Sequence, residues 1–204
     1  MVQASDKVKF FDPHFHIANW DKDSGTGHNA WFGKKCWLTK DDEHLVATEF
    51  NIKDYEALFD NEDPRTEHIG GMFIECGHAS AGEVAWVNKD VSTSERTYGI
   101  IGGCDLTKPS EELEALITEC KATERFRGVR QCLNCDPHIA DQWYKSENLL
   151  EKEQVQSNFK VLEAHKITFE LSISFSMIPL AVQVLKTVPD LTVIVDHRGY
   201  PKFD

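Results

Sequence analysis

The sequence has no apolar run close to the roughly 20 residues that a bilayer-spanning helix needs, so a helical membrane protein is not expected. Its first seven residues lack the basic flank and apolar stretch of a secretory leader. Basic residues are also scarce: 22 Lys and Arg stand against 34 Asp and Glu, for a net charge of −12 with no basic run. A nucleic-acid binder gathers positive charge on one face, so that class is disfavoured. Cys132-Leu133-Asn134-Cys135 has CxxC spacing, but no second pair is placed to complete a zinc site. The six cysteines are scattered over a chain too long to need stapling and read as reduced thiols of a cytoplasmic protein. A glycine-rich phosphate turn is missing too. Asp12-Pro13-His14-Phe15-His16 follows the first apolar run, and no Lys-Ser/Thr follows Gly25-Thr26-Gly27, which argues against a nucleotide-binding sheet.

What is present is a 204-residue chain with 41% hydrophobic and 27% charged residues, values of an ordinary globular protein, read as one domain over 1–204. Short β-rich runs at 8–11, 71–76, 98–105, 128–133, 167–173 and 191–196 are separated by segments of helical spacing. After Pro109 the acids Glu111, Glu112 and Glu114 suit the positive end of a helix dipole, and Leu113, Leu116, Ile117 and Cys120 form one apolar stripe. Val155, Phe159 and Leu162 repeat the pattern. So do Ile178, Ala181, Val182 and Leu185, with Ser176 as cap and Pro179 in the first turn. The stretch 19–65 reads mostly as loop with one helix around 53–59. Six strands alternating with helices imply parallel β-structure, as an open doubly wound sheet or a closed barrel.

Two histidines carry the strongest chemical signal. His14 and His16 lie two apart at the end of the first run, and side chains at i and i+2 of a strand share a face. Two imidazoles so placed can reach one divalent metal; chance pairing among nine histidines is the competing explanation. His197 follows the run 191–196 and reads as a ligand, a general base or turn chemistry. Arg127 and Arg130 flank Gly128-Val129, where a guanidinium fork suits a substrate carboxylate or a surface ion pair. Glu75 and Glu170 are acids inside apolar runs and need a partner; Glu170 reads as a polar pair within a barrel layer. His28, His44, His68, His138 and His165 read as loop or polar helix residues, and His78 is left open.

In combination these segments resemble the amidohydrolase-related family of TIM-barrel metal-dependent hydrolases, which includes sugar-acid lactonases and the pyrone-dicarboxylate lactonase group. Phe11-Asp12-Pro13-His14-Phe15-His16 looks like the family's opening D-x-H-x-H strand. Gly102-Gly103-Cys104-Asp105-Leu106 is similar to its third strand, and Phe126-Arg127-Gly128-Val129-Arg130 to its fourth. Phe169-Glu170-Leu171 stands in the place of its fifth strand, and Asp196-His197-Arg198-Gly199-Tyr200-Pro201 resembles its sixth. The resemblance implies an α/β fold of (β/α)8 TIM-barrel type, truncated after about six βα units. It implies a divalent metal on His14 and His16, with zinc expected and manganese or no metal as alternatives. His197 would sit over the scissile carbonyl as the catalytic residue, and Arg130, Arg127 and Glu75 would meet a small carboxylate or lactone substrate. The implied reaction is hydrolysis; a decarboxylase or hydratase on the same barrel is the alternative. The family's acidic residue on an eighth strand has no match, and TIM barrels typically take about 250 residues. The expectation is therefore a fragment or splice product with little activity alone, or a non-catalytic paralogue that self-associates or pairs through open sheet edges.

Overall fold

The computed structural model describes residues 7–21, 26–27, 49–60, 63–76, 79–136 and 147–201. Six strands form one parallel sheet: β1 (Val8–Phe15), β5 (Thr66–Ile74), β6 (Thr97–Gly103), β7 (Phe126–Cys132), β8 (Thr168–Ser172) and β9 (Val193–Val195), in that spatial order. The helices α2 (Ala81–Val91), α3 (Ser110–Cys120), α4 (Glu153–His165) and α5 (Ile178–Leu185) fall between β5 and β9 in the chain, one per crossover. Two-residue and four-residue strands, β2 (Ala18–Asp21), β3 (Thr26–Gly27) and β4 (Glu49–Phe50), pair antiparallel in a small separate sheet. It lies in the stretch read as loop, because pairings this short leave no period in the sequence. The helix expected around 53–59 is α1 (Ile52–Ala57), held by an Asn51–Asp54 capping box.

The sheet is curled. Five steps of about 4.8 Å would put the outer strands of a flat sheet about 24 Å apart. Instead His14 at the end of β1 and His197 just after β9 bring their rings to 4.8 Å between centroids. This is the wall of an incomplete (β/α) barrel, with the carboxyl ends of its strands converging on one mouth. Its outward face carries the core. Phe15, Phe73, Ile100, Val129, Phe169 and Leu171 pack with Val84, Val87 and Val91 of α2, Leu113 and Ile117 of α3, and Val155, Phe159 and Leu162 of α4. The interior is set by register: Ile74 pairs with Ile101, while Gly103, Arg130, Glu170 and Ile194 form a layer across β6 to β9. Parallel partners in register share a face, so a cation and a carboxylate point inward just below the mouth. Gly128 permits this layer: a Cβ built there would lie 2.0 Å from the Thr168 carbonyl oxygen.

Several local expectations change. Helix α2 was not foreseen, although Ser80 caps it and Val84, Val87 and Val91 make its buried stripe. In α5 the buried face is Ala181 and Val184, and Ile178 and Val182 are exposed. Ser176 does not cap α5; its hydroxyl donates to Asp136, and the preceding residues form a 3-10 turn. His68 is not a loop residue but is buried in β5 against Phe10, Phe59, Tyr55 and Tyr98. His28, His44, His78 and His138 lie outside the described residues. On the outer strand β9 both Ile194 and Val195 are exposed (48% and 42%). Successive residues point to opposite faces, so β9 is open on both faces at its carboxyl end, while Val193 at its start packs half-buried against the core.

Candidate functional site

The site is built from the ends of β1, β5, β7, β8 and β9. β1 runs four residues past its sequence-read end, to Phe15, because Asp12 anchors it: Asp12 Oδ1 accepts the His14 amide and Oδ2 accepts the Tyr55 hydroxyl from α1, at 3.0 and 2.7 Å. His14 and His16 emerge side by side with ring centroids 5.0 Å apart. The His16 Nδ1 lies 2.8 Å from the Ile74 carbonyl oxygen. A carbonyl only accepts, so Nδ1 carries the proton and Nε2 keeps its lone pair, the tautomer lock common to metal-binding histidines. Burial, reinforced by the Arg130 charge, pushes His14 down to about 4 and His16 to about 3. Both are therefore neutral near pH 7, the form that can donate electrons to a metal.

His197 reaches the same place from the other rim of the sheet. It is exposed and sits on a left-handed turn: His197, Arg198, Gly199 and Tyr200 have φ of 50, 57, 70 and 45°. Each non-glycine residue there costs on the order of 1–2 kcal/mol, and such strain is stored where a side chain must be aimed. Asp196, buried just before it, completes the group: ligand atoms of His14, Asp196 and His197 all lie within 4.8 Å of one another. Asp196 was not singled out as a site residue in the sequence, although it opens the Asp-His-x-Gly motif. Its position immediately after a parallel strand was the available signal.

Arg130 organises the carboxylates. Its Nε donates to Glu75 Oε1 at 2.8 Å, one terminal nitrogen donates to the Glu75 carbonyl at 2.8 Å, and the other contacts Asp196 Oδ2 at 3.4 Å. Burial alone would lower its pKa, but Glu75 and Asp196 more than offset this and raise it. The fork expected to face substrate is thus committed inside the protein, and Glu75 is its counter-ion. Glu170 is also buried, with Oε2 lacking a hydrogen-bond partner; burial and then Asp196 push it up to about 8. Arg127 is not brought to the site. It is exposed, and its guanidinium donates to the Glu124 and Phe126 carbonyls at the opposite end of β7, where the β6–β7 register slips between Ile100–Phe126 and Ile101–Gly128. The site therefore collects His14, His16, His197, Arg130 and Glu75 of the residues expected from sequence, leaves out Arg127, and adds Asp196 and Glu170.

The donor set fits a divalent cation. It offers the imidazoles of His14, His16 and His197, with the Asp196 carboxylate beside them and one buried guanidinium shared by Glu75 and Asp196. Sets of imidazole nitrogens with a carboxylate close by suit zinc.

The chain is similar to several known proteins. The Sinorhizobium fredii protein y4mH, uncharacterized, is 24% identical over 195 residues, which are 94% of this chain and 63% of that protein. The fold is similar to a Burkholderia multivorans amidohydrolase crystallised with bound zinc (TM-score 0.66, 15% identity, 94% of this chain and 58% of that one). It is also similar to a probable 2-pyrone-4,6-dicarboxylic acid hydrolase from Acinetobacter baumannii crystallised with citric acid (TM-score 0.54, 15% identity, 93% and 58%). The chain spans less than two thirds of the length of each. The sequence model of the amidohydrolase family matches residues 11–203, and with that match the chain belongs to the amidohydrolase family.

Proposed function

We propose that this chain carries the metal-binding part of a hydrolase site that opens a lactone, or a similar ester, of a small acidic metabolite. The observation that carries the reading is the convergence of His14, Asp196 and His197 within 4.8 Å, beside His16. His14, His16 and His197 are the residues that would hold a zinc ion. When bound, zinc polarises a carbonyl and lowers the pKa of water. Everything else falls to the protein. Asp196 is the carboxylate at the cluster placed to take a proton from the attacking water. The water oxygen bonds to the carbonyl carbon, the ring C–O bond breaks, and the proton passes from Asp196 to the departing oxygen, leaving a hydroxy acid. Arg130 helps aim Asp196, with one guanidinium nitrogen 3.4 Å from its Oδ2. The bound zinc and the pyrone-dicarboxylate chemistry named for the two solved relatives support the choice of metal and of an acidic carbonyl substrate.

The test is in two steps. Zinc titration of the chain should give one site that His14→Ala removes. A panel of sugar-acid and pyrone lactones, followed by acid release, should show little turnover by this chain alone, and the same substitution should abolish what turnover there is. Absence of zinc binding, or release of carbon dioxide in place of a hydroxy acid, would sink the reading.

A further inference from the structure

His197 is the exposed member of the cluster, and its turn has no side-chain cap of its own. Something must hold the ring against the entropy of an exposed side chain. On one side stands His14, at 4.8 Å between centroids; on the other stands Tyr200, at 5.0 Å and inclined by 54°. Tyr200 is itself left-handed, with φ of 45°, an unfavourable conformation for an aromatic residue. Its hydroxyl lies 3.3 Å from the Ser172 hydroxyl, and Ser172 is buried at the last position of β8. Ser172 is two residues past Glu170 and so faces the barrel interior with it. The turn is seated from below as well: a Cβ on Gly199 would be 3.2 Å from Ile178 Cδ1 and 3.7 Å from the Ile173 carbonyl.

We infer that Tyr200 and Ser172 are positioning residues that clamp the His197 imidazole over the metal site, tying the turn after β9 to the end of β8. The inference rests on the zinc reading above and adds to it a second layer that is not among the ligands. The ring of Tyr200 limits the rotation of His197, and its hydroxyl limits the rotation of Tyr200. Neither residue touches the ion or exchanges a proton with it. Both act through His197.

Zinc affinity of the whole chain, measured by competition with a chromophoric chelator, and the visible spectrum of the cobalt(II) form test this without reference to catalysis. Tyr200→Leu should weaken zinc binding roughly 10–100-fold, the usual range for outer-shell partners, and alter the cobalt spectrum, with the metal-free Tm unchanged. Tyr200→Phe and Ser172→Ala should each weaken it by about 2–12-fold, the equivalent of one net hydrogen bond, and the double variant should be no worse than either single. In a His197→Ala background, Tyr200→Leu should have no further effect. Wild-type affinity and spectrum in Tyr200→Leu would overturn the clamp, as would equal losses with and without His197. Should Tyr200→Leu fail to fold, unchanged affinity in both Tyr200→Phe and Ser172→Ala overturns it instead. A wild-type chain that binds no zinc defeats the metal reading itself, and the clamp with it.

Discussion

The two ends of this sheet hold similar residues and use them differently. At the amino ends of the strands, His68 is packed among Phe10, Phe59, Tyr55 and Tyr98, and its Nδ1 faces the Arg96 guanidinium at 3.1 Å. Arg96 is matched there by Asp60 and Glu56, and Glu56 also accepts from Ser94 and Tyr98. Each charge has a counterpart. At the carboxyl ends, two carboxylates, Glu75 and Asp196, share one buried guanidinium, burial holds the Glu170 carboxyl protonated, and the imidazoles of His14 and His16 are held neutral. A histidine among aromatics beside an arginine is packing. Histidines that converge on one another and on an under-compensated carboxylate are a ligand set. Neutralisation is complete at one end and left for a cation at the other.

The largest way to break this contrast is to remove the shared cation at the mouth. Arg130→Met leaves Glu75 and Asp196 buried without their partner and should cost about 3–5 kcal/mol in urea unfolding, as uncompensated buried charges do. A variant that kept wild-type stability would show that the guanidinium does not hold the layer together.

Next in size is a pair of histidine substitutions. His14→Ala should lower zinc affinity by more than the roughly 100-fold upper range of an outer-shell change. His68→Phe should leave zinc affinity untouched and report only through Tm. Equal effects at the two ends would erase the distinction.

A smaller effect concerns pH. His14 and His16 are lowered from 6.5 to about 4 and about 3, so between those values the unfolded chain binds more protons and metal-free stability falls as pH drops. Glu170 and Glu83 are raised from 4.5 to about 8, chiefly by burial, so the folded chain binds more protons and stability falls as pH rises through that span. Two groups of each kind offset one another between 4.5 and 6.5. Denaturation midpoints should be flat there and decline on both sides. A steady rise from pH 5 to pH 8 would contradict the buried, protonated carboxyls.

The smallest change is expected at Arg127→Ala, which lies exposed at the amino end of β7: within about 0.5 kcal/mol of wild type, with unchanged zinc affinity.

The order of elements was legible in the sequence because buried parallel strands and amphipathic helices carry different periods. Val155, Phe159 and Leu162 named their helix, and the six apolar runs named the sheet. His14 and His16 were legible because a two-residue spacing in a strand needs no tertiary information. The fate of the arginines was not. Arg127 and Arg130 both lie within two residues of the same glycine, and only the place of each along β7 in the assembled sheet decides that one meets Glu75 at the mouth and the other stays exposed at the amino end. Asp196 was hidden for a related reason. A carboxylate beside a histidine reads as turn chemistry until curling of the sheet brings β1 across to meet it. The small β2–β3–β4 sheet stayed invisible because its strands are too short to show alternation.

Gly128 gives the mouth a limit on how it can vary. With 2.0 Å between a would-be Cβ and the Thr168 carbonyl oxygen, any side chain at this position would wedge β7 from β8, and Arg130 and Glu170 sit directly across that seam. In a library of random substitutions the residue with no side chain should thus be among the least replaceable in the chain, and its losses should register as lost zinc binding before they register as lost secondary structure.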